Sequence, residues 1–96
     1  MYYVYVLKSL KDNLLYIGFT SIHPYKRLKE HNKGDTKSTN PRRPFILLYY
    51  EAHTSEEDAR RREKYFKTDK GKSSLKQMIR SGLEGKKVSF TNTESI

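Results

Sequence analysis

Hydrophobic and polar positions divide the chain into runs that predict its elements. Tyr2-Tyr3-Val4-Tyr5-Val6-Leu7 is rich in aromatic and β-branched residues. A mostly polar stretch, residues 9–13, separates it from a second such run, Leu14-Leu15-Tyr16-Ile17-Gly18. Two runs of this kind around a turn predict a β-hairpin. With Lys8 paired to Asn13 across the loop, Tyr5 falls directly opposite Tyr16, their Cβ atoms about 5 Å apart on one face. Val4, Val6, Leu15 and Ile17 occupy the other face. From the hairpin alone, filling a small core is the simpler role for the two phenols.

Pro24 suits the first position of a helix, where its missing N–H costs nothing. That helix is predicted to run to about Asn32 and to end at Gly34, which tolerates a left-handed conformation. Arg27 and His31, four apart, share one face of it, and Leu28 and Tyr25 are the packing candidates. Residues 33–44 read as a polar, basic loop in which Lys33, Lys37, Arg42 and Arg43 offer phosphate contacts. Phe45 to Glu51 is nearly continuous in apolar character and predicts a central strand buried on both faces.

Ser55-Glu56-Glu57-Asp58 is a helix start, with a capping serine and acids in the first turn. The helix is expected to continue to Lys67, with Ala59 and Phe66 facing inward. Glu63 falls on that same face. An inward carboxylate is costly unless paired, hydrogen-bonded or bound to a cation. A salt bridge to a nearby arginine and a metal-ligand role therefore both stay open. Asp69-Lys70-Gly71-Lys72 is predicted to break the helix. Ser73 or Ser74 would then cap a short last helix, Leu75 to about Arg80, packed through Leu75, Met78 and Ile79. These elements place one domain at residues 1–82 and a loose tail at 83–96.

Composition narrows the function classes. Ninety-six residues suffice for one core. The absence of cysteine excludes disulfides and thiolate metal sites. No stretch approaches the ~18 consecutive apolar residues of a membrane span, and no signal-peptide pattern opens the chain. The expectation is a cytoplasmic monomer with no membrane partner. Twenty Lys and Arg against eleven acids give a net charge of +9, a field that attracts polyanions and nucleic acid first among them. Phosphate-binding glycine loops, H-E-x-x-H and EF-hand patterns are absent. What remains is a phenol pair, an Arg/His helix face and one inward glutamate.

That combination resembles the GIY-YIG endonuclease superfamily, and within it the small stand-alone YhbQ-like (UPF0213-type) members. The likeness rests on Tyr3-Val4-Tyr5, Tyr16-Ile17-Gly18, Arg27-Leu28-x-x-His31-Asn32 and Ala59-x-x-Arg62-Glu63-x-x-Phe66-Lys67. It implies an α+β fold, a small three-stranded antiparallel sheet flanked by helices. It also implies metal-dependent hydrolysis of a nucleic-acid phosphodiester, DNA before RNA, with branched or single-stranded forms among the candidates. In that scheme Tyr5 is the general base, Tyr16 orients water or phosphate, and Arg27 clamps the phosphate. His31 supports proton transfer, and Glu63 holds one Mg²⁺ or Mn²⁺. Lys33, Lys37, Arg42, Arg43 and Lys67 would contact the nucleic acid. A cation such as Arg27 is expected to lower the Tyr5 pKa. Many members carry an asparagine beyond the glutamate, where this chain has Lys72-Ser73-Ser74-Leu75-Lys76. A non-catalytic or weakly catalytic nucleic-acid-binding module of the same fold is the alternative.

Overall fold

The structure, a computed structural model, describes residues 1–83 and the short strand Ser89–Phe90. Three antiparallel strands form the sheet: β1 (Tyr2–Ser9), β2 (Leu14–Thr20) and β3 (Phe45–His53). The helices are α1 (Pro24–Lys33), α2 (Glu56–Phe66), α3 (Asp69–Met78) and α4 (Arg80–Leu83). A two-residue strand, β4 (Ser89–Phe90), lies parallel to β2, so the spatial order is β3-β1-β2-β4. Apart from Leu83 and β4, the expected tail lies outside the described residues.

The α+β architecture agrees with the expectation, but two assignments within the sheet change. The central strand is β1, fully buried from Val4 to Ser9, whereas β3 lies at an edge and is mostly half-buried. Tyr49 and Tyr50, in the middle of β3, give it an apolar reading without requiring burial, since each pairs an apolar ring with a polar tip. The hairpin register is also shifted. Tyr5 pairs with Gly18, and Tyr16 pairs with Leu7. The loop is longer than expected because Ser9 organises it: its Oγ accepts from the amides of Lys11 and Asp12, and Asn13 turns the chain with φ of 62°. A shift of two residues preserves face, so Tyr5 and Tyr16 remain on one side.

Each face of β1 has its own core. On one side Val4, Val6, Leu15 and Ile17 pack against Ala59 and Phe66 of α2 and against Leu75 and Ile79. On the other, Tyr5, Leu7 and Phe45 pack with Tyr16, Leu47 and Leu28 of α1. Tyr25, a packing candidate, is instead 60% exposed, as is much of Met78.

Helix ends follow their local chemistry. Gly34 closes α1 with φ of 87°, and the Ser55 hydroxyl accepts from the amide of Asp58 to open α2. The expected break at residues 69–72 is instead the first turn of α3, capped by Thr68, whose hydroxyl accepts from the Gly71 amide. Gly71 belongs there because α3 crosses α2 closely: a Cβ at that position would lie 1.8 Å from the Tyr65 carbonyl oxygen. Arg62 joins β3 to α2, donating to both Glu51 carboxylate oxygens while covering the Phe66 ring.

Candidate active site

Three strategically placed rings meet where β1, β2 and α1 converge. The Tyr5, Tyr16 and His31 ring centroids are 5.4–6.3 Å apart. Tyr5 and His31 are almost wholly buried, while Tyr16 is half-buried. Gly18 makes room for this arrangement. The Tyr5 phenol lies directly over it, so an added Cβ would meet Cζ and Oη at 2.5 Å.

A hydrogen-bond chain runs inward from the phenol. Tyr5 Oη lies 2.8 Å from His31 Nε2, and His31 Nδ1 lies 2.7 Å from Thr39 Oγ1. The Thr39 hydroxyl donates to the Thr36 carbonyl, which leaves its oxygen to accept from His31. With the Thr39 proton directed to Thr36, neutral His31 carries its own proton on Nδ1. His31 Nε2 then accepts from the Tyr5 hydroxyl.

Burial keeps both partners neutral at rest. It depresses His31 to about 4, with the positive charge of Arg27 acting in the same direction. Burial also raises the Tyr5 phenol above its usual value, reinforced by Tyr16 and, more weakly, Glu63; nearby Arg27 opposes the rise without overcoming it. The expected lowering by a neighbouring cation is therefore outweighed by desolvation. For Arg27, burial works against the charge, but Glu30 and Tyr5 hold its pKa above the usual value. Its Nη1 donates to Glu30 at 2.8 Å.

Glu63 approaches from the other layer, on α2. Its side chain is 20% exposed and accepts from Lys67 Nζ at 3.0 Å. The partner is thus a lysine one turn away, not one of the neighbouring arginines. Glu63 makes no hydrogen bond to the other four predicted residues among those described; its link to Tyr5 is through its charge. Among the described residues no cluster of three or more His, Asp or Glu side chains is placed to hold a metal. A single carboxylate still fits Mg²⁺, which takes one or two protein carboxylates, substrate phosphate and several waters.

The predicted phosphate contacts separate into two groups. Lys33 and Lys37 are exposed. Arg42 serves the fold, donating to Asp12 and the Leu14 carbonyl and lying over Phe45. Arg43 donates to the Asn40 carbonyl, and Lys67 is engaged by Glu63. Asn32 has a structural role, its side chain bonding both the N–H and C=O of Phe45 and thereby fastening α1 to β3. Thr39 carries no mark in the sequence, since nothing in a polar loop distinguishes the one hydroxyl that turns inward.

Residues 1–77 match the family model of the GIY-YIG catalytic domain. The chain belongs to the GIY-YIG family. A UPF0213 protein of Staphylococcus haemolyticus is 41% identical over 78 residues, covering 80% of this chain and 93% of that protein. Another from Pediococcus pentosaceus is 39% identical over 83 residues, covering 85% of each. The solution structure of UPF0213 protein BH0048 from Bacillus halodurans superimposes with a TM-score of 0.50 at 30% identity. That match covers 91% of this chain and all of that one. The chain therefore groups with the UPF0213 proteins within the GIY-YIG family, a nuclease superfamily.

Proposed function

We propose that this protein is a metal-dependent endonuclease that hydrolyses nucleic-acid phosphodiesters, DNA in preference to RNA, with Tyr5 as the general base. The observation that carries this reading is the Tyr5–His31–Thr39 chain, a buried phenol already bonded to a proton acceptor. An isolated phenol, with a pKa near 10, is a poor base at neutral pH. Relayed through His31, it does not need to become a free phenolate beforehand. The attacking water gives its proton to Tyr5 Oη as the Tyr5 proton passes to His31 Nε2. The water oxygen forms a bond to phosphorus, and the phosphorus–oxygen bond to the leaving strand breaks. That departing oxygen takes a proton from solvent.

Arg27 holds the phosphate and stabilises its developing charge, and the same phosphate favours the transient imidazolium at His31. Tyr16, beside both rings, orients the water or the phosphate. Glu63 would hold a divalent cation whose chemistry is Lewis-acid stabilisation of phosphate and leaving oxygen. Lys67 is the ammonium that such a cation would displace from the carboxylate. Lys33 and Lys37 add sequence-independent attraction for the backbone.

The test is cleavage of duplex, single-stranded and branched DNA and of RNA, with and without Mg²⁺, alongside Tyr5→Phe and Glu63→Gln proteins. Metal-dependent cutting by wild type, lost in both variants, supports the reading. Binding without cutting by all three proteins would leave a nucleic-acid-binding module in its place.

A further inference from the structure

Next to the proposed active site is an aromatic cluster for which neither the core nor the proposed chemistry has a use. Tyr3, His23, Tyr25 and Tyr50 lie with ring centroids 5.4–6.3 Å apart. His23 and Tyr25 are stacked, 10° from parallel. The remaining contacts are tilted or edge-on. These rings are at the surface: Tyr25 is 60% exposed and Tyr50 37%. They belong to neither hydrophobic core. His23 is fixed in place, its Nδ1 accepting from the Tyr25 amide and its Nε2 lying 3.5 Å from the Tyr50 hydroxyl.

Charge and position indicate what such a surface takes. An open depression of about 590 Å³ beside Tyr25 carries Lys26, Lys29 and Lys33 on its walls, with Glu30 and Asp35 as its acids. Glu30 is already neutralised by Arg27, and none of the three lysines pairs with a carboxylate among the described residues. Tyr3 precedes Tyr5 by two residues on one strand face, about 7 Å along it, and Tyr50 pairs with Tyr5 across the sheet. Exposed rings beside unpaired cations form the surface that binds unstacked bases while holding their phosphates. A duplex offers it no free base faces.

We propose that the Tyr3–His23–Tyr25–Tyr50 cluster is a stacking platform for unpaired nucleobases flanking the scissile phosphate, with Lys26 and Lys29 holding the adjoining phosphates. The substrate class is accordingly single-stranded, or a duplex with a frayed or branched segment. This deepens the nuclease reading and rests on its nucleic-acid partner, but not on catalysis.

The test compares a labelled thymidine oligomer with an abasic oligomer of equal length, by fluorescence anisotropy in EDTA so that no cleavage intervenes. Wild type binds the base-bearing strand roughly tenfold tighter. Tyr25→Ala and Tyr50→Ala lose that preference, Tyr25→Phe keeps it, and Lys26→Ala weakens both oligomers alike. The chain has no tryptophan, so Tyr25→Trp supplies a unique fluorophore whose emission changes with the base-bearing strand alone. Equal binding of both oligomers by wild type, or undiminished preference in both alanine variants, overturns the platform and leaves the nuclease reading standing. Binding of neither oligomer overturns the platform and its single-stranded substrate class, and leaves the nuclease reading to the duplex and RNA arms of the cleavage assay.

Discussion

Replacing Gly18 with alanine tests whether close packing at this position sets the active-site phenol. The added methyl would lie 2.5 Å from Cζ and Oη of Tyr5 and 2.8 Å from Cε1, where ordinary contact begins at 3.4 Å. Tyr5 is 1% exposed, so its ring cannot move aside without disturbing its packing and its bond to His31. Overpacking of this kind costs ~1–3 kcal/mol, and the lost hydrogen bond adds ~1 kcal/mol. A loss of ~2–4 kcal/mol is a large part of the ~5–15 kcal/mol typical of a domain. It lowers Tm by roughly 10–20 °C. The assay is thermal and urea unfolding in a double-mutant cycle with Tyr5→Leu. Without the phenol ring, Gly18→Ala costs under ~0.5 kcal/mol, because the overlapping atoms are gone. An equal cost in both backgrounds would mean that the Tyr5 ring does not limit the space at Gly18.

Three further outcomes follow from the same geometry. Thr39→Val removes the acceptor of His31 Nδ1–H inside the protein and costs ~1–3 kcal/mol; imidazole ¹⁵N shifts report whether the tautomer changes, and Thr39→Ser restores it. His31, held neutral to about 4 against ~6.5 when unfolded, contributes stability that is fully present above the unfolded value. That contribution is lost as pH falls toward 4, because the unfolded chain takes the proton first. Urea unfolding from pH 7 to 4 should show up to ~3 kcal/mol of such loss, absent in His31→Gln. Lys67→Ala frees the Glu63 carboxylate and should lower the Mn²⁺ concentration that broadens NMR signals near Glu63, while changing stability by under ~0.5 kcal/mol.

Local chemistry was legible in the sequence where one residue decides one feature. Ser55 opens α2 and Gly34 closes α1 as their types require. The pairing of Tyr5 and Tyr16 on one face was also legible, although the register was not. Face depends only on parity, whereas register depends on the loop that Ser9 and Asn13 build. Strand order was hidden because β3 draws its apolar character partly from half-exposed tyrosines. Gly71 resembled a helix breaker because its purpose, close approach to the Tyr65 carbonyl, is tertiary. Arg27 and His31 could be placed on one face by their spacing, but the inward turn of Thr39 depends on a fold no local pattern encodes. Desolvation of Tyr5 was likewise invisible, since it depends on how α1 closes over the sheet.

If Tyr5 is the base, cleavage depends on its phenolic hydroxyl, and Tyr5→Phe removes that hydroxyl and little else. The deciding measurement is single-turnover cleavage of a labelled strand in Mg²⁺, with binding measured in parallel. The prediction is a loss of ~10²-fold or more in the cleavage rate, with affinity for the strand unchanged. Cleavage by Tyr5→Phe at the wild-type rate would contradict it.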